Sequence, residues 1–148
     1  MNEQHYAASI TVKRSASTVF DLINDPCLWW TTELQGSARQ LHDEFRVQFG
    51  TFHVSTQKVT EWLPGRNICW LVTDSALSFV SNRQEWTGSR ICFELNETGL
   101  QTEIRLTHYG LTPQSECYNS CHKGWDYYLQ QSLYPLLTTG TGKPGLPG

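Results

Sequence analysis

Residues 106–137 read LTHYGLTPQSECYNSCHKGWDYYLQQSLYPLL and gather His108, Glu116, Cys117, Cys121 and His122 around the start of an amphipathic run. Two chemistries are open to such a set. Cys117 and Cys121 are four apart and share a helix face, and strand parity turns His108 toward the same side. Three soft or borderline ligands of that kind would make an open zinc site. Alternatively, a thiol near a helix N-terminus has a lowered pKa, and Cys117 or Cys121 with His108 would form a nucleophile and its base.

Both readings compete with packing. Zinc sites usually carry a tighter ligand pair such as CxxC, which is absent here. Cysteine is also a small, easily buried apolar residue. With Gly124 it would let the helix start approach its neighbour closely, leaving His108 to bond a backbone group or Glu116. Glu116 is explained by the preference of acids for the first helical turn. His122, about 100° around the helix from Cys121, faces solvent. The pattern favours packing, so no catalytic residue, metal or cofactor is assigned. Two other features invite a binding role. Glu85 shares parity with Ile91 and Phe93 and would point inward. Trp29 and Trp30 would place one ring in the core and leave the other half exposed.

The elements that must position these residues follow from periodicity. YAASITVKR alternates, with Ala8, Ile10 and Val12 on one side, and reads as a half-buried strand. Ser15 or Ser17 caps a short helix carrying Val19, Phe20 and Ile23, and Asp25-Pro26 ends it. CLWWTTEL reads as a second helical turn. DEFRVQFG aligns Phe45, Val47 and Phe49. In FHVSTQKVTEWL, Phe52 and Val54 are in phase and Val59 is not, so a bulge is expected between them. NICWLVTD is apolar on both faces. RQEWTGSRICFELNE and LQTEIRLTHYG alternate and join through a hairpin at Asn96–Gly99, and DSALSFVSN is either a flap or an ordinary loop. From Pro113 the period becomes helical, with Tyr118, Cys121, Trp125, Tyr128, Leu129, Leu133 and Leu136 on one stripe. Pro135 should kink this helix, Gly140 should stop it, and residues 141–148 should form a flexible tail.

The totals agree with one domain over residues 1–140. The 148 residues are 39% apolar and 17% charged, too hydrophobic for a disordered chain. A net charge of −3 without a basic stripe argues against nucleic acid. No leader peptide and no membrane span is visible. Five cysteines cannot all pair within one chain and read as reduced thiols of a cytoplasmic protein. One long helix must cover a curved antiparallel sheet of six to seven strands. A helix about 10 Å wide cannot fill that concavity, so a pocket should remain beneath it.

This order resembles the START-like superfamily, the α+β helix-grip fold also called SRPBCC or Bet v 1-like. The stretches that carry the likeness are STVFDLINDPCLWW, DEFRVQFG, KVTEWLPGRNICW, EWTGSRICFEL, THYGL and GWDYYLQQSLYPLLTTG. They are most similar to the bacterial branch that looks like the activator of heat-shock-protein ATPase (AHSA-like). The resemblance covers Ile10 to about Gly140 and implies a hydrophobic pocket with no shared catalytic triad or metal. Members bind lipids, sterols or other apolar molecules; some are cyclases or dehydratases, and others stimulate a chaperone ATPase.

The expectation drawn from both lines is a non-catalytic binder of an apolar small molecule or lipid. A chaperone-regulating module and a cyclase- or hydrolase-like enzyme stand as alternatives. The wall is expected from Phe45, Val47, Phe49 and Val54, from Trp70, Ile91 and Phe93, from Ile104 and Leu106, and from Trp125, Tyr128 and Leu129. His108 and Glu85 would orient the ligand's polar end.

Overall fold

The computed structural model describes residues 4–146. A seven-stranded antiparallel sheet in the order β1-β7-β6-β5-β4-β3-β2 curls around a C-terminal helical rod. β1 (Tyr6–Val12) leads to α1 (Ala16–Ile23), whose first turn is capped by the Ser15 side chain accepting from the Thr18 N–H. Pro26–Leu28 form a single 3₁₀ turn, and the chain then enters β2 (Leu34–Gly36), a short edge strand that the sequence pattern did not announce. Next come β3 (Glu44–Phe49), β4 (His53–Leu63), β5 (Asn67–Leu77), β6 (Arg90–Thr98) and β7 (Gln101–Tyr109).

The strand phases decide which residues reach the concave face. In β4 burial alternates without a break from His53 through Ser55 and Gln57 to Val59, so Val54 lies on the opposite face and is only half-buried. A register shift does fall between Thr56 and Gln57, where a bulge was expected, but it leaves the phase of β4 unchanged. The extra residues are Thr73 in β5, opposite Thr56 and Gln57, and Thr60 in β4, opposite Cys69 and Trp70. β6 starts at Arg90 rather than near Arg83. Residues 84–88 form turns, and the parity that would turn Glu85 inward does not exist.

The rod begins at Tyr118, not Pro113, because residues 113–117 form turns. It runs as α2 (Tyr118–Tyr127), a π-helical stretch (Tyr128–Leu133) and α3 (Tyr134–Thr139). In the π stretch the Tyr134 N–H bonds the Leu129 carbonyl five residues back. The wider ring lies just ahead of Pro135, where the ordinary helical donor is missing. Gly140 ends the rod in a left-handed conformation at φ 91°, its N–H bonded to the Leu136 carbonyl.

Both Trp29 and Trp30 are buried, which corrects the expectation that one would be half exposed. Trp30 stacks on Trp29, Trp70 and Trp125 at centroid distances of 5.2–6.0 Å and interplanar angles of 17–22°, and Trp86 stacks on Trp125 at 9°. Residues 141–146, expected to be a loose tail, fold back beside this stack. Ser132 Oγ donates to the Trp29 carbonyl at 2.6 Å and accepts from the Lys143 N–H at 2.8 Å. The Gly145 N–H reaches the Trp30 carbonyl, and the Tyr128 hydroxyl donates to the Gly145 carbonyl. At Gly142 any Cβ would collide with the Leu28 carbonyl, so only glycine lies this close.

The structure pairs Cys69 with Cys92 across β5 and β6, and Cys117 with Cys121 within one helical turn; Cys27 is free. The expectation of five reduced thiols is corrected for these four, and with it goes the support it lent to a cytoplasmic location. No helix among the described residues is long and apolar enough to cross a membrane.

Ser132→Ala removes one buried hydroxyl that serves two backbone groups. It should cost ~1–3 kcal/mol of stability and speed hydrogen exchange at the Lys143 and Gly145 amides. Unchanged exchange at both positions would show that the C-terminal segment is not held this way.

Candidate functional site

Between the rod and the open end of the concave face lies a cavity of about 400 Å³ that opens to solvent. Its deep walls are Trp30, Phe49, His53, Trp86, Trp125 and Tyr128. Phe52, Phe79 and Leu146 form its rim and are 52%, 42% and 49% exposed, so large apolar side chains border the opening rather than being withdrawn from water. The space exists partly because Gly124 has no side chain: a Cβ there would meet nothing within 4 Å. Gly124 was expected to bring the helix start close to the sheet. It instead leaves room.

The expected wall residues divide into three groups. Phe49, Trp125 and Tyr128 border the cavity. Phe45, Val47, Trp70 and Leu129 are buried in the core on or beside the same wall, as are Ile91, Phe93, Ile104 and Leu106, and none of these borders the space. Val54 faces away. His108 is fully buried and does not border the cavity either.

His108 has a different role. Trp125 Nε1–H donates to His108 Nδ1 at 3.0 Å, so the ring's proton sits on Nε2, which donates to Ser89 Oγ at 2.8 Å. Ser89 Oγ in turn donates to the Trp86 carbonyl at 2.5 Å. This chain ties the rod to β7 and to the loop before β6, and it fixes the two stacked indoles Trp86 and Trp125 in the cavity wall. Burial pushes the His108 imidazole down to about 3 from an ordinary 6.5, with smaller contributions from His53 and His5. The ring is neutral and both nitrogens are occupied.

Glu85 is not at the cavity. Its carboxylate accepts the backbone N–H groups of Glu116 and Cys117 at 2.6 and 2.9 Å. Glu116 answers by accepting the N–H groups of Ser81 and Asn82 at 2.6 and 3.1 Å, and these donors hold its carboxyl below the usual carboxylate range. It lies ahead of the helix rather than in its first turn. The two acids clasp loop 78–89 to the start of the rod. His108, Cys117 and Cys121 do not converge, and no metal-binding cluster occurs among the described residues.

His53 is the polar residue the sequence reading missed. It lies edge-on to Trp86 and Phe49 at 4.5 and 5.2 Å, and desolvation pushes its imidazole down to about 3. Its Nε2 is 2.8 Å from Ser55 Oγ, which also accepts from Gln57 Nε2. A polar stripe on an inward strand face runs against the usual rule that inward positions are apolar, so FHVSTQ reads most naturally in the opposite phase. Lys123 borders the mouth and has no carboxylate partner among the described residues.

No family model matches the chain, and no curated protein matches it significantly. Solved structures do. The Aha1 dimer of Colwellia psychrerythraea superposes with a TM-score of 0.76 at 23% identity, over 94% of this chain and 99% of that one. The chain has the helix-grip fold, a curved antiparallel sheet wrapped around a long C-terminal helix. DynU16, encoded in the dynemicin biosynthetic locus, matches at a TM-score of 0.68 and 15% identity, over 95% of this chain and 49% of that one. CalU16 of Micromonospora echinospora matches at 0.64 and 16%, over 90% and 74%. At these identities the likeness concerns the fold.

Two outcomes follow. Trp125→Phe keeps the stacking but leaves His108 Nδ1 buried without a donor, and should cost ~1–3 kcal/mol by denaturant titration. His53 and His108 are both depressed in the folded state, so their stability is present above pH 6.5 and lost as pH falls toward 3. Below about pH 6.5 each should remove up to about 1.4 kcal/mol per pH unit. A melting temperature that does not change from pH 7 to pH 5 would contradict this.

Proposed function

We propose that the protein binds an apolar small molecule in the cavity between the sheet and the C-terminal rod, without transforming it. The observation that carries this reading is the ring-lined space of about 400 Å³ bordered by Trp30, Phe49, Trp86, Trp125 and Tyr128. Its volume lies within the usual range of small-molecule sites, and its lining is mostly apolar with a few polar groups, as such sites are. Burial of ligand hydrocarbon would supply the affinity, at about 25 cal/mol per Å² before ordering costs.

The wall assembled from Phe49, Trp125 and Tyr128 is the part of the expected set that touches the guest; the deeper residues shape it indirectly. A catalytic use has less support. Ser55 and His53 are hydrogen-bonded, but Ser55 is buried beneath the histidine and does not border the cavity. A chaperone partner rests on fold likeness to the Aha1 structure alone. It is the reading to adopt if the cavity binds nothing.

The test pairs a thermal-shift screen of aromatic metabolites, sterols and fatty acids with native mass spectrometry of freshly purified protein. A ligand at a hundred times its Kd should stabilise by about 2.7 kcal/mol, raising the melting temperature by several degrees. Gly124→Leu places a side chain in the open space and should abolish that shift while leaving the fold intact. If no compound moves the wild-type melting temperature and no small molecule co-purifies, the reading fails.

A further inference from the structure

The wall of the cavity carries information about its guest that apolarity alone does not. Its apolar lining is almost wholly aromatic, with Leu146 its one large aliphatic side chain. Trp86, Trp125 and Trp30 stand as parallel plates. Flat, rigid rings pack favourably against such plates by offset stacking or edge contact. A flexible alkyl chain gains area there but loses more rotational freedom on being ordered.

The buried imidazole at this wall is His53, and its proton can be placed. Gln57 Nε2 donates to Ser55 Oγ, and the hydroxyl's other bonded neighbour is His53 Nε2. With Gln57 donating, His53 Nε2 is the one acceptor left to the Ser55 proton among the described residues. A neutral ring whose Nε2 accepts must carry its proton on Nδ1. Nδ1 has no hydrogen-bond partner among the described residues, and it is not among the side-chain atoms sealed from solvent without one. Because the ring borders the cavity, that N–H is presented to whatever occupies it. The flanking contacts to Trp86 and Phe49 hold the ring in this orientation.

We propose that the cavity selects planar aromatic molecules bearing an oxygen that accepts a hydrogen bond from His53 Nδ1–H. The inference rests on the cavity being a binding site and adds the class of molecule it takes. Gln57 and Ser55 are positioning residues: they set which ring nitrogen carries the proton.

Calorimetric titration with 2-acetylnaphthalene, 2-ethylnaphthalene and dodecanoate tests this, because the two arenes differ chiefly in the carbonyl oxygen. Wild type should bind the ketone more tightly than the hydrocarbon by about three- to tenfold. His53→Phe should still bind the hydrocarbon and lose the preference. Equal binding of both arenes by wild type, or a preference that survives in H53F, overturns the inference while leaving the cavity reading intact. Dodecanoate binding in place of the arenes overturns the planar class alone. If none of the three binds wild type the inference is overturned, and binding that Gly124→Leu leaves unchanged overturns the cavity reading with it. Nitrogen-15 NMR of the His53 ring keeps the test open if H53F does not fold. The proton should be on Nδ1, its signal should move on adding the ketone but not the hydrocarbon, and Ser55→Ala should shift the ring toward the Nε2–H form. A wild-type ring protonated on Nε2 overturns the inference.

Discussion

A fully buried hydrogen bond, from the Trp125 indole to the His108 imidazole, joins the helical rod to the floor of the sheet, and the interior is organised around it. An indole N–H and an imidazole are both costly to bury alone; buried together they satisfy each other, and Ser89 and the Trp86 carbonyl complete the chain. The distance this sets between rod and sheet is about one indole deep. Where Trp30, Trp86 and Trp125 stack, the gap is filled. Toward the open end, where Gly124 contributes no side chain, it is not, and the cavity is the remainder.

The loop before β6 is the second consequence. Residues 84–88 turn beside a hydrophobic stack with their backbone held by bonds from the Glu85, Thr87 and Gly88 N–H groups to the Asn82, Gln84 and Val72 carbonyls, and Glu85 and Glu116 clasp the loop to the start of the rod from outside. Trp86 is then delivered from this loop onto Trp125, and Phe79 comes to the rim. From the other side, residues 141–146 are drawn in by Ser132 and Trp30, which brings Leu146 to the same rim. Segments far apart in the chain thus form one opening.

The element order was legible from periodicity because each long segment buries one face. The Ser15 cap, the Asp25-Pro26 break, the helical stripe from Cys121 to Leu136 and the Gly140 stop are all local signals read without tertiary information. The inward orientation of His108 followed from strand alternation, but its partner did not, since Trp125 lies 17 residues away on another element. Glu85 was misplaced because RQEW alternates like a strand, and only the capping of Glu116 and Cys117 shows why it is a turn. One of the two tryptophans of CLWW was placed too near the surface, because nothing in the stretch announces Trp70 and Trp125 as stacking partners.

What the sequence by itself determined is the set of faces: which segments alternate by two, which repeat by 3.6, and that one rod must cover a sheet. What only the tertiary structure decided is the phase of β4. Alternation fixes that His53, Ser55 and Gln57 share a side, but not which side. That choice is made by the register in which Phe49 faces His53 and Leu77 pairs with it from β5. Shifting a strand by one residue exchanges its two faces, and the stability of a register belongs to the neighbouring strands rather than to the strand alone. The polar stripe inside the molecule is therefore a property of the assembled sheet.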